Sequence, residues 1–267
     1  MAYGLDRSVD SKLANISTHG FVQADDNVLI AGTIVLGQAP QKVIIRAMGP
    51  SLPFADRLAN PTLELYSGST LLASDDDWKN QPAADRQAVI DSTIPPSKDL
   101  ESALVRILPA NNAAYTAIVR GANNGTGIGV VEAYDLDRNA DSKLANISTR
   151  GLVQTGDDIL IAGTIVLGSQ SQKVIVRAIG PSLPVAGRLE NPMLELRDGN
   201  GGLIDANDDW KTSPNKQAII DTTIPPSNDR ESAIVQTLPA NGAQYTAIVR
   251  GVNNTTGIAV VEVYALQ

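Results

Sequence analysis

The chain contains itself twice. The stretch "AYGLDRSVDSKLANIST", residues 2–18, returns as "AYDLDRNADSKLANIST", residues 133–149. Lys12 and Lys143 lie 131 positions apart, as do Arg46 and Arg177; Trp78 and Trp210 are 132 apart, and Glu101 and Glu231 are 130 apart. Small insertions and deletions therefore fall between blocks. A period this long far exceeds the roughly 20–50 residues of solenoid repeats, so each copy is expected to be a complete domain with its own core. The reading is two domains, residues 1–134 and 135–267.

Local patterns are those of strands. "NVLIAGTIVLG" (27–37), "KVIIRAMG" (42–49), "TLELYSG" (62–68), "SALVRILP" (102–109), "YTAIVRG" (115–121) and "IGVVEAY" (128–134) are short, largely β-branched and bounded by Gly, Pro, Asn or Asp. With "SKLANISTHGFV" and "STLLAS", each copy holds about eight strands. That count predicts an all-β fold of two tandem antiparallel β-sandwiches, jelly-roll-like. Each carries one short helical insert, "AADRQAVIDST" (83–93) or "PNKQAIIDTT" (214–223), the first ending before Pro95 and Pro96. "YTAIVRGANNGTGIGVVEAY" reads as a hairpin turning at Asn123, Asn124, Gly125 and Gly127, which would set Arg120 opposite Glu132 and Arg250 opposite Glu262.

Composition excludes several classes of function. No apolar run approaches the roughly 18 residues of a membrane helix, and the first residues show no basic segment followed by an apolar core, so no signal peptide is read there. A net charge of −8 argues against a nucleic-acid partner, since such binding rests on Lys and Arg neutralising phosphates. The absence of cysteine removes disulfides, thiolate catalysis and Cys-rich zinc sites. The one histidine, His19, is matched by Arg150 in the second copy, so no histidine-based triad can be built in both. "GPSLP" (49–53 and 180–184) contains a serine but not the G-x-S-x-G elbow, and more simply bends the chain after a strand. No pair of carboxylates has an evident reason for a raised pKa, and the chain is read as not an enzyme.

The strongest chemical signal is acidic. Asp75, Asp76 and Asp77 precede Trp78, and Asn207, Asp208 and Asp209 precede Trp210. Adjacent carboxylates on a loop could supply several of the six to eight oxygens that calcium takes, with Asp99 and Asp229 adding more if the "PPSKDLES" and "PPSNDRES" loops fold back. The alternative is turn and helix-capping chemistry. Asp25 with Asp26, and Asp157 with Asp158, form a second acidic pair that reads as a solvated turn. Trp78 and Trp210 admit two readings as well: platforms for a sugar ring, or plugs of the core. The sequons at Asn15 and Asn146 match an acceptor pattern that is frequent by chance.

Taken together, "SKLANISTRG", "VIVRAIGPSLP", "NPMLELRDGNGGLIDANDDW" and "ESAIVQTLPANGAQYTAIVRGVNNTTGIAVVEVY" resemble a repeat of about 130 residues found in secreted and surface proteins of environmental bacteria. The "LELRDGNGGLIDANDDW" portion also resembles, more weakly, the bacterial pre-peptidase C-terminal domains, jelly-roll modules of secreted enzymes that sometimes bind calcium. Neither resemblance brings a catalytic residue set; what it implies is an extracellular accessory or structural module.

The expected function is thus a non-catalytic extracellular structural or adhesive protein, partnered by cell-surface or matrix components or by itself, with a carbohydrate-binding module as the alternative. Because the element that joins the copies is cut apart at the outer ends, with Tyr3 and Tyr264 in equivalent places, head-to-tail filaments imitating the internal seam are a further expectation.

Overall fold

The computed structural model describes residues 11–25 and 27–266. Tyr3 and Asp26 lie outside them. The first copy gives β1 (Ser11–Val22), β2 (Leu29–Gly37), β3 (Gln41–Met48), β4 (Pro61–Ser67), β5 (Thr70–Asp75), α1 (Ala83–Asp91), β6 (Ser102–Leu108), β7 (Ala114–Gly121) and β8 (Gly127–Asp135). The second gives β9 (Ser142–Leu144), β10 (Asn146–Val153), β11 (Leu160–Gly168), β12 (Gln172–Ile179), β13 (Pro192–Arg197), β14 (Leu203–Asn207), α2 (Lys216–Asp221), β15 (Ser232–Leu238), β16 (Gln244–Gly251) and β17 (Gly257–Ala265). Strand alternation drives the layering. The identical runs of β2 and β11, "LIAGTIVLG", bury every second side chain and turn the intervening ones outward.

Within the first copy the strands pair antiparallel in the orders β1–β8–β3–β6 and β2–β7–β4–β5. That is the jelly-roll order, two four-stranded sheets face to face, and the second copy repeats it. The predicted all-β fold and its short helices are therefore present. The predicted hairpin is not. β7 pairs with β2 and β4, and β8 with β1 and β3, so the two consecutive strands belong to opposite sheets. Asn123 and Asn124 carry φ of 54° and 60°, and two successive left-handed residues redirect the chain across the sandwich instead of folding it back. Glu132 consequently faces Arg46, its register partner on β3, and Glu262 faces Arg177. Arg120 donates instead to the Asp25 carbonyl oxygen at 2.9 Å, and Arg250 to that of Gly156 at 3.2 Å.

The copies are joined by their sheets. β1 pairs on its free side with β11, and β10 pairs with β2. Each sheet therefore runs through both copies: β6–β3–β8–β1–β11–β16–β13–β14 in one layer, β15–β12–β17–β10–β2–β7–β4–β5 in the other. A single hydrophobic cluster fills the space between them, from Leu13 and Val43 of the first copy to Val176 and Val263 of the second. This cluster is shared by both copies, because the strand at the edge of each jelly roll is completed by its counterpart, while a smaller cluster lies beneath the helix of each copy.

This seam is two-fold. The contact of β1 with β11 is repeated by that of β10 with β2, and on the axis Phe21 meets Leu152 while the fully buried Thr18 and Thr149 share a hydroxyl hydrogen bond of 2.8 Å. The "LANIST" asparagines lock the register. Asn15 Oδ1 accepts from the Ile165 amide at 2.8 Å and Asn146 Oδ1 from the Ile34 amide at 2.9 Å. Both are buried in the folded seam. A contact whose halves are alike closes on itself. Within the described residues the seam joins like halves, β1 with β11 and β10 with β2, rather than the unlike sides on which the head-to-tail expectation rests.

Candidate functional site

Several of the acidic loop residues carry structural duties. Asp75, at the end of β5, accepts the Ala103 amide of edge strand β6 at 2.8 Å, and in the second copy the neutral Asn207 accepts the Ala233 amide at 2.9 Å. Burial pushes the Asp75 carboxyl up to about 6, against the hydrogen bond from Ala103. Burial, aided by the neighbouring Asp77 charge, raises Asp76 as well, and Asp208 follows suit beside Asp209. Asp77 Oδ2 accepts from the Asn80 side chain at 3.0 Å, and the Asp209 carbonyl accepts from the Thr212 hydroxyl at 2.8 Å. Asp99 and Asp229 pair with Lys79 and Lys211 at 2.6 Å and 2.5 Å. Among the described residues no three acidic or histidine side chains converge as a metal would require. Of the eight residues expected to form two calcium sites, Asp75 and Asn207 serve edge-strand amides and Asp99 and Asp229 pair with lysines, whereas Asp77 Oδ1 and Asp209 Oδ1 are buried with no hydrogen-bond partner among the described residues.

The tryptophans are core. Trp78 is 6% and Trp210 5% exposed, each indole N–H donating to a loop carbonyl, Lys98 at 3.1 Å and Asn228 at 3.0 Å. Trp78 packs with Ile44, Val89 and Val105 under α1, and Trp210 with Ile175, Ile219 and Val235 under α2. A sugar ring has no access to an indole face enclosed this way, which removes the tryptophan platform.

Sequence reasoning missed the roles of Glu101 and Glu231. Both are fully buried. Glu101 Oε1 accepts from the Gly49 amide at 3.2 Å, the Ser51 amide at 2.9 Å and the Ser51 hydroxyl at 2.5 Å, while Oε2 accepts from the Lys98 amide at 3.2 Å. Glu231 does the same with Gly180, Ser182 and Asn228. The "GPSLP" turn is therefore an anchor for a carboxylate, and its serine is a donor rather than a nucleophile. At Gly49 an added Cβ would stand 2.2 Å from the Leu58 carbonyl oxygen, so the turn needs glycine. The legible signal was the co-occurrence of "GPSLP" and "ES" in both copies.

What remains open is a polar trough on the outer face of the sheet, across the seam. A cavity of about 240 Å³ lies over β8, β1, β11 and β16, lined by Ser17, Glu132, Tyr134, Gly163, Gln244 and Thr246 among others. Its floor is a cross-strand row of small residues, Ser17 opposite Gly163 opposite Thr246, closed at one end by Glu132. One wall is the row Tyr134, Asn15, Ile165 and Gln244; the other is His19, Ile161 and Ile248. Glu132 is ion-paired with Arg46, whose guanidinium also covers the Tyr134 ring at 5.2 Å and donates to the Ile94 carbonyl at 2.7 Å. Burial holds His19 below its ordinary pKa despite the opposing pull of Asp158 and Asp56, and its ring packs on Phe54 at 5.2 Å.

No protein-family model and no curated protein matches the sequence. Among solved structures, the tandem carbohydrate-binding (CBM51) modules of a family 98 glycoside hydrolase from Streptococcus pneumoniae align over 92% of this chain and 83% of theirs, at 10% identity and a TM-score of 0.28. The major capsid protein of Sulfolobus Turreted Icosahedral Virus aligns over 98% and 90%, at 14% identity and a TM-score of 0.26. That of bacteriophage PM2 aligns over 93% and 98%, at 10% identity and a TM-score of 0.23. Overlaps this slight carry no argument about function.

Proposed function

We propose that this chain is a non-catalytic structural and adhesive module of an extracellular surface. The observation that supports this reading is the pair of sheets running unbroken through both copies, which makes a stiff, double-length body from a duplicated unit. The carboxylates lend themselves to the same reading. Asp75 is matched by a neutral amide in the second copy, and Glu101 and Glu231 have their oxygens occupied by backbone and serine donors. A general acid or base needs a proton-transfer partner within reach of substrate, and groups engaged this way offer none. Among the described residues no helix is long and apolar enough to cross a membrane.

The test is retention without turnover. Labelled protein is incubated with bacterial envelopes and with insoluble polysaccharide matrices, and in parallel with panels of glycoside, ester and peptide substrates. Saturable retention with no product is the expected result. Turnover that disappears on Asp75→Asn or Glu101→Gln, with the fold retained, would overturn the reading in favour of a hydrolase.

A further inference from the structure

We infer that the trough across the seam is a binding site for a neutral, polyhydroxylated ligand of about one sugar ring, built jointly by the two copies. The inference gives the adhesive reading a ligand and rests on it to that extent.

The geometry begins with Gly163. On a sheet face every outward position normally carries a side chain, and here the central one has none. Its neighbours in the row, Ser17 and Thr246, are short, whereas the flanking rows two residues away along the strands carry Tyr134, Ile165 and Gln244 on one side and His19, Ile161 and Ile248 on the other. The result is a channel perpendicular to the strands. From Glu132 to Thr246 it crosses three strand spacings, about 14 Å. Its volume falls below the roughly 300–1,000 Å³ of drug-sized pockets, which suits a small ligand or the terminal unit of a larger one.

The lining sets the ligand chemistry. Glu132 is neutralised by Arg46 in the same row, and at the far end Arg197, the register partner of Thr246, pairs with Glu195 at 2.8 Å. No lining charge is left seeking a counter-ion, so an ionic ligand gains nothing here. Hydroxyl and amide groups are plentiful. Tyr134 donates to Glu132 at 3.2 Å while its own oxygen is hydrogen-bonded by the Asn15 side chain, and Ser17 donates to the same carboxylate oxygen at 3.4 Å, which leaves the Ser17 hydroxyl oxygen oriented with acceptor capacity. The side chains of Gln244 and Thr246 make no hydrogen bond among the described residues and offer donors and acceptors together. Neutral groups that both donate and accept, close-set along a short channel, match vicinal hydroxyls better than any other common chemistry.

The pseudo-two-fold supplies an internal control. On the opposite sheet the row Glu262, Ser148, Gly32 and Thr116 repeats the floor, but Ala114 stands where Gln244 does and Arg150 where His19 does. The wall amide is missing there and a cation takes the place of the imidazole, so the two troughs are distinguishable by mutation.

The experiment is saturation-transfer NMR on the full chain with a panel of neutral hexoses, N-acetylhexosamines and their disaccharides, followed by titration of the strongest responder. Gly163→Val is the decisive variant. An added Cβ would meet only Ser17 and Tyr245 atoms at 3.6 Å or more, ordinary contact, so the strand tolerates it while the floor is filled. Gly163→Val is expected to weaken binding at least about tenfold, equivalent to about 1.4 kcal/mol, with Gly32→Val leaving it unchanged. Thr246→Val, which keeps shape and removes one hydroxyl, is expected to weaken it roughly two- to tenfold and serves if Gly163→Val fails to fold. A panel with no responder, binding that survives these changes, or an equal loss in Gly32→Val would each overturn the site. Surface retention that persists without any saccharide signal overturns the trough but not adhesion; turnover of the bound sugar overturns the non-catalytic reading but not the trough.

Discussion

Asp75 and Asn207 perform one task with and without a charge. Each carries the edge amide of its copy's β6 or β15 on a side-chain oxygen, and only Asp75 does so at the cost of burying an anion. Its folded pKa of about 6 stands above the ordinary 3.8, so the native state binds the proton more tightly than the unfolded chain across that window. Stability therefore falls as pH rises from about 4 to 6 and stays reduced above it. The shift corresponds to at most about 3 kcal/mol, and partial exposure reduces the expected effect to about 1 kcal/mol. Asp75→Asn is accordingly expected to stabilise the protein by about 1 kcal/mol at pH 7 and by almost nothing at pH 4, measured by urea denaturation at both. Glu101 and Glu231 follow a different logic. Four donors meet two oxygens there, and an amide would set its own N–H₂ against one of them, which is why the acid is kept in both copies while the Asp75 position tolerates the change.

At the scale of strands, the seam is the element that organises the rest. Its register depends on short polar side chains within otherwise apolar ladders: Asn15 and Asn146 at the irregular start of the paired strands, Thr18 and Thr149 on the axis. Replacing Thr18 alone by Val leaves the Thr149 hydroxyl buried without its partner and is expected to cost about 1–2 kcal/mol. The double change Thr18→Val with Thr149→Val removes both hydroxyls without altering shape and is expected to recover most of that loss. A double-mutant cycle on unfolding free energies checks it; strictly additive costs would show that the axial bond contributes nothing. The strands themselves were readable, since "LIAGTIVLG" alternates as a half-buried strand must. Their partners were not: "RGANNGTG" contains every residue a hairpin turn favours, yet two left-handed asparagines send the chain to the other layer. Local turn chemistry specifies that the chain bends, and only packing specifies where the next strand lands.

For the whole molecule, continuity of sheet and core implies that the copies unfold together. One calorimetric transition is expected, with van't Hoff and calorimetric enthalpies equal, and two resolved transitions would show that the copies behave as independent domains. Proteolytic nicking within residues 136–141, between β8 and β9, is a companion measurement: the halves stay associated under native conditions because the seam pairs β1 with β11 and β10 with β2 independently of the linker. The sequence by itself determined the duplication, the all-β class, the strands, the short helices and the absence of any cysteine, since periodicity and residue type are local properties of a chain. Only the tertiary structure decided that Asp75 and Asn207 hold edge-strand amides, that Trp78 and Trp210 are enclosed, that Glu101 anchors "GPSLP", and that Gly163 floors a trough. Each of these depends on residues brought together from distant strands. The seam shows the reason most plainly: a repeat announces two like halves, but whether like halves stack in series or close around a two-fold axis is set by which edge strand each presents to the other, and no single copy encodes that choice in its own pattern.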